Sequence, residues 1–195
     1  MMNQSRNSIY TPITRDEMIL IFHEANAKFL SLNTDLFTTE VAERTLCGAL
    51  MVAINGVIKK GFDRLNRYKN YFVDVEYNRN EGIVKTIIND DLKIVPINCD
   101  LILHSRGHHK WQDNLIAIEM KKVNRPEAEK LNDRNRLIAL TRLTDGVWSA
   151  DGVTLPEHVC GYVLGIYYEV DTKNMTAHIE FYSEGDKFAE EQIEI

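Results

Sequence analysis

Two apolar segments decide the fold: Cys99-Asp-Leu-Ile-Leu-His104 and Leu115-Ile-Ala-Ile-Glu-Met120, the second running straight into Lys121 and Lys122. Both are short, and their apolar residues fall on both faces, as in strands covered on both sides. The polar loop between them is centred near His109, so a simple antiparallel hairpin sets Asp100 opposite Glu119. Paired residues share a face, with Cβ atoms roughly 4.5–5.5 Å apart. Two carboxylates that close repel, and one takes up a proton unless a cation sits between them. All-oxygen ligation is what Mg²⁺ prefers. Lys121, two residues beyond Glu119, points into the same pocket, where its ammonium could hold a water or a phosphate oxygen. A slip of one residue would put the two acids on opposite faces.

Helices precede this hairpin. Residues 1–13 read as a loose tail. Thr14-Arg-Asp-Glu17 has the spacing of a capping box, and Met18, Ile21, Phe22, Ala25, Phe29 and Leu30 follow at helical period, which predicts a helix over 15–31. A second helix is expected from about Thr39 to Lys60, ended by Gly61. On its wheel Leu46, Cys47, Leu50, Ile54 and Val57 all lie within about 60° of Glu43. A carboxylate in the middle of a buried stripe needs a partner or a metal ion. The same residue lies in the first turn, where a carboxylate favours the helix dipole. Glu40 lies on the edge of the stripe.

Downstream, Tyr71 to Tyr77 alternates as a strand and Ile83 to Ile97 suggests an irregular hairpin. Pro126 opens a third helix, expected to run to about Leu143. Val159–Val170 and Met175–Ser183 read as a hairpin around Asp171–Asn174. The order predicts an α/β domain with a mixed central sheet flanked by helices, occupying residues 1–195 as one unit.

Composition narrows the function. Of 195 residues, 44% are hydrophobic and 27% charged, with a net charge of −6. A protein that holds nucleic acid through phosphates alone usually has a basic excess, so any such role here needs a local basic surface or a bound metal. Three cysteines (Cys47, Cys99, Cys160) without a CxxC pair argue against a disulfide scaffold and a thiolate zinc site. They read as buried thiols in a reducing cytoplasm. No apolar run reaches the roughly 18 residues of a membrane span, and the N-terminus lacks a secretory pattern. GxxxxGK[ST], GxGxxG and GxSxG are all absent, which argues against an NTPase, a dinucleotide enzyme and an α/β-hydrolase. His108 and His109 sit in a polar loop with Lys110 and Trp111, and no HExxH occurs. Arg79 and Arg106 end strands near the candidate site, where they would contact phosphates or form structural ion pairs. Asp133 and Arg136 have i,i+3 spacing for an ion pair on the third helix.

Asp100 in NCDLILHSRG and the Glu119-Met120-Lys121 tripeptide, with the upstream EVAERTLCGAL (Glu43), VEYNR (Val75–Arg79), the trailing NDRNRLIALT (Asn132–Thr141) and a closing strand near CGYVLGIYY, form an ordered set. Over residues 38–170 this set resembles the PD-(D/E)xK nuclease superfamily, with Cys99 where such proteins often have Pro. The resemblance implies a restriction-endonuclease-like core and a Mg²⁺- or Mn²⁺-dependent nuclease. Asp100, Glu119 and the backbone carbonyl of Met120 would hold the ion. Glu43, or else Glu40, would be the third acid, and Lys121 would orient or help deprotonate the attacking water. The implied substrate is nucleic acid, DNA before RNA. A homodimer would suit cleavage of both strands, and no membrane association is expected. A second reading keeps the nuclease fold as a catalytically silent interaction protein. It is motivated by the acidic charge and the lack of a DNA-reading module. A third treats the chain as a small ligand-binding module and expects Asp100 and Glu119 to be apart in space.

Overall fold

The computed structural model describes residues 11–60, 67–76, 79–80, 83–84, 86–88, 94–96, 99–143 and 160–195. Helix α1 spans Arg15–Leu32. Its capping box is complete: the Glu17 N–H donates to Thr14 Oγ1, and the Thr14 N–H donates to Glu17 Oε2 at 2.8 Å. Met18, Ile21, Phe22, Ala25 and Phe29 form its buried stripe. The tail read as loose up to residue 13 is anchored before that point, since Ile13 is buried and its N–H donates to Gln112.

The second helix starts later than its spacing suggests. A short α2 covers Thr34–Thr38, and α3 covers Glu43–Lys60. Glu40, at φ 53°, turns the chain left-handed and separates the two. The expected cap Gly61 lies outside the described residues.

Strand β1 (Phe72–Val75) is shorter than expected, and Tyr77 lies outside the described residues. Two small ribbons follow, β2 (Arg79–Asn80) with β3 (Ile83–Val84), and β4 (Thr86–Ile88) with β5 (Ile94–Pro96). Then come β6 (Leu101–His104), β7 (Asn114–Lys122), α4 (Glu127–Thr141), β8 (Leu164–Asp171), β9 (Thr176–Ser183) and β10 (Asp186–Glu194). Pro126 is the N-cap of α4, one position before the first helical turn in which it was expected.

The main sheet has the order β1-β6-β7-β8-β9-β10. Its neighbours are antiparallel except β7 and β8, which are parallel and joined by the connection carrying α4. The sheet is therefore mixed, with helices on both faces. Along β7, Ile116, Ile118 and Met120 join the core formed with α1 and α3, whereas Ala117 belongs to the smaller core under α4. Period-two alternation thus sends Glu119 and Lys121 to the α4 side. No described helix is long and apolar enough to cross a membrane.

Strand β10 was not anticipated. Its sequence DKFAEEQIE has no apolar face, and in the structure it is a largely exposed edge held by the backbone ladder to β9.

Candidate functional site

The β6–β7 hairpin has the anticipated register at its inner end. Leu101 pairs with Ile118, Ile102 with Ala117 and Leu103 with Ile116. A bulge then shifts His104 onto Asn114, away from the acids. Asp100 directly precedes β6, and one of its oxygens, Oδ2, accepts the Met120 N–H at 2.9 Å. The Asp100 and Glu119 carboxyl groups are close enough to shift each other's proton affinity. This juxtaposition disagrees with the ligand-module reading, which needs them apart.

Glu119 is 1% exposed and receives Arg136 Nη1 at 2.6 Å. Burial pushes its carboxyl up to about 8, with repulsion from Asp100 and Asp133 adding to burial and Arg136 opposing it. Burial also raises the Asp100 carboxyl, against the Met120 N–H and the Lys121 charge. The pair is thus a carboxyl couple that retains a proton well above the usual carboxylate range.

Lys121 lies 2.9 Å from Asp133 Oδ2, and Asp133 Oδ1 in turn meets Arg136 Nη1 at 3.2 Å. Burial lowers the affinity of Lys121 for its proton, but the Asp133 carboxylate outweighs burial and the ammonium stays charged. The i,i+3 pair expected on the third helix therefore exists, and it also reaches across to Glu119 and Lys121 of β7. Sequence spacing had no means of finding this, because the partners are joined only by helix docking.

Glu43 begins α3, where it accepts the Lys122 N–H at 3.0 Å and a two-pronged Arg125 guanidinium at 3.0 and 3.1 Å. Burial acts to raise its carboxyl, but Arg125 and the Lys122 N–H outweigh burial and hold it below its ordinary value. Glu40 is exposed, and only its backbone carbonyl takes part, accepting Lys122 Nζ at 3.0 Å. The choice between the two acids falls on Glu43. The buried Cys47 thiol is pushed upward by burial and then by the charges of Asp100, Glu119 and Glu43. Cys99 is likewise buried, whereas Cys160 is only half-buried, a departure from the expected set of three buried thiols.

A cleft of about 650 Å³ opens beside these residues. Glu43, Cys47, Asp100, Arg44, Lys122 and Arg125 are among its walls; Glu119 and Lys121 are not. The cations Lys122 and Arg125 were missed as site residues, although Lys121-Lys-Val-Asn-Arg125 is a basic run directly after the last acid.

Of the two arginines singled out earlier, Arg106 is not among the residues that line the cleft. Arg106 is at the loop end of the hairpin, ion-paired to Asp74 and stacked over Phe72 at 4.3 Å. It makes the structural ion pair that one of its two readings expected. The side chain of Arg79 lies outside the described residues. His104 is buried on Asp74, and His109 stacks on Tyr71 at 4.7 Å. Trp111 is exposed.

Two donor sets were weighed for a cation. Among the described residues, His178, Glu180 and Glu190 each bring one ligand atom within 4.8 Å of the others. That cluster is already neutralised: Arg134 and Tyr182 hold Glu180, and Lys187 sits 3.0 Å from Glu190. Asp100 and Glu119 offer oxygen only, and burial keeps a proton on the couple even though Arg136 is bound to Glu119. Their chemistry fits a hard divalent ion. No family model matches this sequence, and comparison with curated proteins and with solved structures finds no match in either.

Proposed function

We propose that the chain is a divalent-metal-dependent nuclease with a restriction-endonuclease-like core, hydrolysing phosphodiester bonds of nucleic acid, DNA before RNA. The observation that carries this reading is the hairpin register that ends at Leu101–Ile118 and brings Asp100 onto the Met120 N–H, beside Glu119, with Lys121 two residues on. Asp100, Glu119 and the Met120 carbonyl would hold Mg²⁺ or Mn²⁺, and Glu43 would join them directly or through water. When bound there, the ion would polarise the scissile phosphate and make hydroxide available near neutral pH.

The protein's own groups have separate tasks. Asp133 keeps Lys121 protonated, so Lys121 serves as a fixed positive charge that orients water or a phosphate oxygen, and not as a base. Arg136 holds Glu119 in one rotamer through a charge-assisted bond at 2.6 Å. Met120 and Cys47 meet in the core beside the acids, where the Cys47 thiol contacts the Met120 sulfur.

A specific observation also favours the silent interaction protein. Glu119, Lys121 and Glu43 each have an internal counter-charge, in Arg136, Asp133 and Arg125. The deciding experiment incubates the protein with single-stranded DNA, duplex DNA and RNA, in Mg²⁺, Mn²⁺ or EDTA. Cleavage that needs metal and is lost in Glu119→Ala and Lys121→Ala is the expected result. Absence of both cleavage and metal binding would leave the interaction protein as the better reading.

A further inference from the structure

We propose that Lys122 and Arg125, with Arg44 at the outer rim, are the phosphodiester contacts of the cleft, and that Arg125 leaves Glu43 when a phosphate takes it. The inference rests on the nuclease reading and assigns substrate contacts that the sequence had placed elsewhere, on Arg79 and Arg106.

All three cations line the same cleft as Glu43 and Asp100. Arg125 is 48% exposed and Arg44 72%, and their carboxylate partners are Glu43 and Glu76. The guanidinium of each arginine faces solvent, where an incoming phosphate can reach it, while Glu43 is only 17% exposed. The Arg125 fork that now spans both Glu43 oxygens has the geometry to span two phosphate oxygens. The Lys122 ammonium rests on the neutral Glu40 carbonyl and has no carboxylate partner among the described residues.

The backbone favours the same ligand. The cleft lies between the start of α3, at Ala42, Glu43 and Arg44, and the approach to α4, at Asn124, Arg125 and Pro126. Both helix N-termini direct partial positive charge toward it. Three carboxylates (Glu43, Glu76, Asp100) face three cations, so the cleft is formally neutral. A divalent ion at Asp100 would make it net positive. Attraction for a phosphate backbone then arises with the ion, which reconciles an acidic protein with an anionic substrate.

The exchange couples the two ligands. A phosphate that takes Arg125 strips Glu43 of its guanidinium while Glu43 stays half-buried, and the ion is the remaining cation it can meet. Nucleic acid and ion should therefore strengthen each other's binding.

The test uses Ca²⁺, a hard oxygen-seeking ion, with fluorescently labelled duplex DNA, single-stranded DNA and RNA followed by anisotropy over a salt series. Lys122→Gln and Arg125→Gln should each bind about ten-fold more weakly, the loss of one charge-assisted contact. Each should also flatten the salt dependence by about one counterion. Arg106→Gln should match wild type, and circular dichroism should show all variants folded. Calorimetric titration with Ca²⁺ alone should show Arg125→Gln binding the ion more tightly, because Glu43 has been released. Unchanged nucleic-acid affinity in Lys122→Gln and Arg125→Gln would overturn the phosphate contacts and leave the nuclease reading standing. Weaker Ca²⁺ binding by Arg125→Gln would overturn the exchange. A wild-type protein that binds none of the three nucleic acids would remove the nuclease reading and this proposal together.

Discussion

Glu119 is the residue on which the site turns, and its environment makes a pH prediction. Its carboxyl is raised to about 8 by burial, with Asp100 and Asp133 adding to the rise. In the unfolded chain a glutamate titrates near 4.3. Between those values the folded protein holds more protons than the unfolded one, so stability falls as pH rises through this window. Glu119→Gln keeps the shape and cannot ionise, so its stability should be flatter from pH 5 to 8. The check is thermal melting of both proteins across that range. Wild type should lose at least about 2–4 °C more than the variant, the shift expected of one kcal/mol in a domain of this size. Divalent ion should shrink the difference, because it takes over the role of the proton.

At the scale of elements, helix α4 is the clamp on the charged end of β7. It supplies Asp133 to Lys121 and Arg136 to Glu119, and it lies close on β8. The closeness is set by Gly165 of β8. A Cβ there would stand 2.9 Å from Thr141 Cγ2 and 3.2 Å from Tyr182 Cβ. Gly165→Ala should therefore destabilise the protein by about 1–3 kcal/mol through overpacking. Thr141→Ser removes the offending methyl and keeps the hydroxyl that donates to the Leu137 carbonyl at 2.8 Å. The double variant should recover part of the loss, and a double-mutant cycle in urea measures the coupling. Additive effects would mean that α4 does not bear on Gly165 as described.

At the scale of the molecule, the acids arrive from three elements distant in sequence: Glu43 from the start of α3, Asp100 from the approach to β6, and Glu119 from β7. They come near one another only in the folded chain, where Asp100 accepts the Met120 N–H and Glu43 the Lys122 N–H. An ion held by them binds the native state alone and stabilises it by mass action. With Mg²⁺ at a hundred times its dissociation constant the gain is about 2.7 kcal/mol, or roughly 5–10 °C of melting temperature. Asp100→Asn should show no such gain. A rise of equal size in that variant would place the ion elsewhere, with the His178, Glu180 and Glu190 cluster the first place to look.

The hairpin, its register and the helical Glu43 were legible without coordinates. Each follows from a local period: two for strands, 3.6 for helices, and a loop centre that fixes which residues face each other. The α1 capping box is local in the same way, four residues long and self-contained. Strand β10 escaped because its apolar residues are few and its burial slight: Ile193 packs against the core, but most of the strand is exposed and held by its ladder to β9. The counter-charges escaped for a related reason. Arg136 meets Glu119 seventeen positions away, and Arg125 meets Glu43 eighty-two positions away. Nothing in the spacing of either residue encodes those distances. A charge shows in sequence that it needs a partner, but the packing of α4 and α3 against the sheet chooses which one it meets.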